Sequence, residues 1–80
     1  MESKRLEKIP SKYRRKVEKR LSELSKSIQT QRKAKGYTQE GLAEKLAVSP
    51  MTIQFIEQGR RYPSVQMLIY ICEFLEIEIF

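Results

Sequence analysis

Histidine and aspartate are missing from this 80-residue chain, and cysteine occurs once, at Cys72. Their absence removes the usual general base, the nucleophilic triads and the common zinc sites. All ten acidic residues are Glu, and most stand at helical spacing beside Lys or Arg. A single cysteine cannot form an internal disulfide. Glycine is also scarce: Gly36, Gly41 and Gly59 form no loop that could cradle a phosphate. No apolar run approaches the length of a membrane span. The opening MESKRLEK has none of the apolar core of a secretory signal. Neither an enzyme, nor a cofactor or metal, nor a membrane protein is expected, and the cytoplasm is the expected location.

Positive charge is plentiful. Residues 1–36 hold 13 Lys and Arg against 4 Glu, while residues 37–80 hold 3 against 6. A cationic first half fits a polyanion partner such as nucleic acid, or a solvated basic helix with no partner. Apolar residues make up 40% and charged residues 32%, which suits a soluble and mostly helical domain. A chain this short builds only a small core, so self-association is an expected source of extra stability.

Pro10 and Ser11 open a helical pattern. Tyr13, Val17, Leu21, Leu24 and Ile28 recur at spacings of 4, 4, 3 and 4, one apolar stripe. It ends at Gly36, with Lys33 and Lys35 in the last turn. One helix over about 11–35 and two helices meeting near Ser25–Ser27 both fit. Thr38 is a good N-cap for a short helix that buries Leu42, Ala43 and Leu46. Ala47-Val48 make a turn. Ser49 caps the next helix, with Pro50 at its first position, where a missing N–H costs nothing. Ile53 and Ile56 face inward, and Gly59 ends the helix. Ser64 caps a last helix whose apolar face is Val65, Leu68, Ile71, Cys72 and Leu75. Cys72 is expected to be a buried small hydrophobe. In LEIEIF the period changes to two, which reads as a strand.

These pieces together carry a resemblance. Thr38-Gln39-Glu40, Leu42-Ala43 with Leu46, Val48-Ser49, Thr52-Ile53 with Ile56-Glu57 and Gly59, and Pro63-Ser64 stand in one fixed order. Over about residues 22–77 the chain resembles the Cro/C1-type, or XRE-like, helix-turn-helix family. The resemblance implies an all-α, lambda-repressor-like bundle of about four or five helices. The expected organisation is a basic N-terminal helical extension (1–21), the helix-turn-helix domain (22–75) and a C-terminal strand (76–80). It further implies that Arg32 and Glu57 form a structural ion pair beneath the motif.

By the same resemblance the helix over 39–46 crosses the phosphate backbone and the helix over 50–58 enters the major groove of double-stranded DNA. The DNA-facing positions become Thr38, Gln39, Ser49, Pro50, Met51, Thr52, Gln54 and Phe55, with Arg60, Arg61 and Tyr62 reaching phosphates. Here the chain departs from the family, which often has Arg, Gln, Asn or Ser where Pro50, Met51 and Phe55 stand. Met51 and Phe55 cannot hydrogen-bond to base edges but can pack on thymine methyl groups. The expected function is a sequence-specific transcriptional regulator, a repressor, acting on an operator as a homodimer. Ile77, Ile79 and Phe80 are expected to pair with the same strand of a second copy, the alternative being that they fold back on their own core. That tail also resembles HipB-type antitoxins, so an antitoxin that binds a toxin protein and its own operator is the second reading. An adaptor that binds only protein is a third. The basic helix is expected to pack its stripe on the last helix, to contact phosphates with its cations, or both.

Overall fold

Pro10 fixes φ at −52°, and its carbonyl accepts the N–H groups of Tyr13 and Arg14 at 3.0 and 3.2 Å. Helical backbone starts there. The computed structural model describes residues 8–78. Within them run four helices: α1 (Ser11–Ala34), α2 (Gln39–Leu46), α3 (Pro50–Glu57) and α4 (Val65–Leu75). α1 is one unbroken helix of 24 residues. At the α-helical rise it spans about 36 Å, close to the 40 Å long axis of the molecule.

The helix ends follow from local chemistry. Thr38, Ser49 and Ser64 accept backbone N–H groups from Gly41, Thr52 and Met67 at 2.9, 3.3 and 3.1 Å. Such a cap contributes about 1 kcal/mol. Gly59 closes α3 with φ of +74°, a backbone that side chains with a Cβ resist. Its N–H bonds to Ile56 O at 3.1 Å and the N–H of Arg60 bonds to Phe55 O at 2.9 Å. That pair of bonds is a Schellman closure.

The core consists of Ile28 of α1, Leu42, Ala43 and Leu46 of α2, Ile53 and Ile56 of α3, and Ile71 and Leu75 of α4. Leu24, Tyr37, Val48, Met67, Leu68 and Ile77 pack around it. α2 and α3 make the most extensive helix pair, while α1 touches α3 and α4. Cys72 is buried beside this core. Its thiol is pushed up from the usual value by burial first and the charge of Glu73 second.

Two expectations are corrected. No strand forms over residues 76–78: α4 runs through Leu75, and Glu76 takes a left-handed backbone with φ of +56°. The N–H of Ile77 then bonds back to Cys72 O at 3.0 Å, and Ile77 packs on the core. The Ile that was to face a partner strand is used within its own chain. Ile79 and Phe80 lie outside the described residues, and so do residues 1–7 of the arm. The second correction concerns the apolar stripes. Only the C-terminal half of α1 is covered. Tyr13 and Val17 are exposed because α1 projects past the bundle, and Val65 at the start of α4 is exposed as well. Lys12 lies 5.1 Å from the Tyr13 ring centre and screens part of it. At the opposite end Lys35 Nζ pairs with Glu76 Oε2 at 2.8 Å. The hydrogen bond and charge of Lys35 hold the Glu76 carboxyl below its ordinary value. Both side chains are well solvated, so the pair contributes little to stability. No helix among the described residues is long and apolar enough to cross a membrane.

Candidate nucleic-acid interface

α2 and α3 meet through a turn of unusual backbone. Ala47 sits at φ +56°, ψ +41°, a left-handed conformation that costs a residue with a Cβ about 1–2 kcal/mol. It is held there because the N–H of Val48 bonds to Ala43 O at 3.0 Å and Val48 packs on the core. Ala43 is buried where the helices approach, which a larger side chain would prevent.

Ile53, Ile56 and Glu57 fill the inward side of α3. The other side is solvent-facing. Pro50, Met51 and Gln54 are exposed, and Thr52 and Phe55 are half-buried. Ser49 Oγ and Thr52 Oγ1 lie 3.0 Å apart, so part of the polar capacity of Thr52 is used within the N-cap. Thr38 is exposed and likewise occupied by its capping bond.

Below α3 lies a buried ionic network. Arg32 Nε donates to Glu57 Oε2 at 2.6 Å and Nη2 donates to Oε1 at 3.2 Å. Arg32 Nη1 donates to the carbonyl of Tyr37 at 2.8 Å. Gln39 Nε2 donates to Glu57 Oε1 at 3.1 Å. The two charged side chains keep 8% and 1% of their exposure. Such a pair is stable only when its geometry is good and its remaining polar atoms are satisfied. Three segments thus converge on one carboxylate: the end of α1, the start of α2 and the end of α3. The Gln39 tether and the Tyr37 carbonyl were absent from the sequence reading. The family resemblance implied the pairing of Arg32 with Glu57, but not the third partner.

Arg60 and Arg61 are exposed and stand beside Phe55. Their guanidinium carbons lie 5.9 and 5.8 Å from the centre of its ring. Tyr62, also exposed, belongs to different surroundings. It lines a groove of about 280 Å³ with Glu18, Ser22, Ser25 and Lys26 of α1 and with residues 57–59. The candidate residues therefore form an outer α3 face continuous with two arginines, an inward-tethered Gln39, and a Tyr62 turned to α1.

A second apolar surface was not anticipated. Ile69, Tyr70 and Phe74 of α4 are exposed. The signal for it was available, since these three fall off the stripe that buries Ile71 and Leu75.

A helix-turn-helix family model matches residues 28–80, more than half of the chain. Over 41 residues the sequence is 46% identical to an uncharacterized HTH-type transcriptional regulator, YazB, of Bacillus subtilis (strain 168). The match covers 51% of this chain and 59% of that relative. No solved structure matches.

Proposed function

Because the chain belongs to the helix-turn-helix family of the Cro/C1 type, we propose that it is a DNA-binding transcriptional regulator that inserts α3 into the major groove. The observation that carries this reading is the division of α3 into two faces. Ile53, Ile56 and Glu57 lock one face to α1 and α2, while Met51, Gln54 and the neighbouring Arg60 and Arg61 are exposed to solvent. A rigid helix with a bare outer face and cations at its end suits groove insertion with phosphate anchoring. The name of the YazB relative is in keeping with it.

In this reading Met51 packs on thymine methyl groups and Thr52 and Gln54 offer polar contacts to base edges. Gln39 keeps one amide N–H on Glu57 and turns its remaining polar capacity outward to a phosphate or base. Ser49, Pro50 and Thr38 shape the two helix starts that approach the backbone. Arg60 and Arg61 contact phosphates, helped by the cationic outer side of α1. The regulator acts as a homodimer on an operator with two half-sites about one helical turn, or roughly 34 Å, apart. The exposed Ile69, Tyr70 and Phe74 support a self-association surface on α4.

Fluorescence anisotropy on a labelled duplex over a salt series tests the binding mode. Affinity is expected to fall steeply, with a log–log slope beyond about −3 as phosphate counterions are released. A flat slope would sink the proposal.

A further inference from the structure

The outer face of α3 carries one aromatic ring, and two cations share it. The guanidinium groups of Arg60 and Arg61 lie 5.9 and 5.8 Å from the centre of the Phe55 ring. The backbone repeats the pattern, since the carbonyl of Phe55 accepts the N–H of Arg60 at 2.9 Å and that of Arg61 at 3.2 Å. This convergence follows from the helix end. Phe55 is the third residue from the end of the helix and Arg60 follows Gly59, so the Schellman closure brings their side chains together. Such closures frequently place two apolar side chains there. In this chain one of the two is a guanidinium.

An arginine on an exposed loop has rotamer freedom to lose before it can hold one phosphate. A ring beneath it removes part of that freedom in advance, because a guanidinium stacks on an aromatic face. From its residue type Phe55 is expected to pack on thymine methyl groups. In the structure both guanidinium groups already stand over its ring, and it is only half-exposed.

We propose that Phe55 is a positioning residue, a shelf that holds Arg60 and Arg61 against the phosphates bordering the groove and does not itself read a base. The proposal rests on the DNA-binding reading above. It assigns sequence discrimination on this helix to Met51, Thr52 and Gln54 and makes Phe55 a determinant of affinity for any duplex. The aromatic face, and not merely apolar bulk, is what the role requires.

The test compares wild type with Phe55→Leu and Phe55→Tyr on two duplexes, one enriched by the protein from a random pool and one shuffled version of it, over a salt series. Leucine keeps apolar volume but has no ring face, and tyrosine keeps the ring. Phe55→Leu is expected to weaken both duplexes by a similar factor, up to about tenfold for two lost ring contacts, and to make the salt slope shallower. Phe55→Tyr is expected to restore both. In an Arg60→Ala/Arg61→Ala background Phe55→Leu is expected to add little. A loss confined to the enriched duplex, or an unchanged salt slope, overturns the shelf while leaving the DNA-binding reading standing. A wild-type protein that binds neither duplex overturns that reading and the shelf with it. NMR relaxation of the two arginine side-chain Nε groups in the free protein adds a readout independent of DNA. Their order is expected to fall in Phe55→Leu and to return in Phe55→Tyr, and equal order in all three overturns the proposal.

Discussion

Glu57 is the residue on which the arrangement of the site depends most. Its carboxylate, 1% exposed, accepts from both Arg32 and Gln39, so the pose of α3 and of the α2 start are tied to one side chain. Truncating either member of a buried pair strands the other charge. Arg32→Ala and Glu57→Ala are each expected to destabilise by about 3–5 kcal/mol in urea denaturation. Replacing both, as Arg32→Met with Glu57→Leu, is expected to recover much of that loss, since a well-packed apolar pair can substitute for a buried ionic one. A double-variant loss equal to the sum of the two single losses would show that the pair does not act as a unit. At this scale the sequence was informative where roles are local. Thr38, Ser49 and Ser64 act as the caps their residue types suggest, and Ile28, Leu42, Ile53 and Ile56 are core. Contacts that depend on three elements meeting at once, such as Gln39 on Glu57, have no signature along the chain. Phe55 with Arg60 lies between these cases, because the closure around Gly59 could have been read from residue types and spacing.

Helices were legible as elements because their apolar periodicity and their end residues agree. The turn between α2 and α3 was legible as a position but not as a conformation. Ala47 adopts a backbone that glycine adopts freely. Ala47→Gly should relieve about 1–2 kcal/mol of left-handed strain, partly offset by the greater freedom glycine gives the unfolded chain, about 0.4–1 kcal/mol. A small net gain, about 0.5 kcal/mol, is expected in thermal denaturation, and a loss would mean that the Ala47 methyl group makes a contact worth more than the strain. At the C-terminus the strand expectation failed, while the alternative of folding back on the core held for Ile77. Alternation in LEIEIF began on Leu75, which is the last residue of α4, so two elements contributed to one apparent period. Once Glu76 reverses the backbone, Ile77 returns to the core by chance of spacing and not by strand geometry. The stripe of α1 failed differently. Tyr13 and Val17 have helical spacing, but spacing says nothing about whether another element reaches them, and α1 outruns the bundle.

For the molecule as a whole, uneven charge and uncovered apolar surface are the features left for partners. The cations of α1 and of residues 60–61 favour a polyanion, and the apolar residues of α4 favour a second copy. If α4 is the dimer surface, Phe74→Glu is expected to convert dimer to monomer in sedimentation velocity and to weaken operator binding. A wild-type monomer at micromolar concentration, or a Phe74→Glu protein that remains dimeric, would remove α4 from that role. The central claim, that the outer face of α3 selects DNA sequence, is tested most directly by repeated selection of bound duplexes from a random pool. The account predicts an enriched motif in which Gln54→Ala or Met51→Ala relaxes particular positions, each preference changing by about 1–3 kcal/mol at most. Recovery of sequences no different from the starting pool would contradict it.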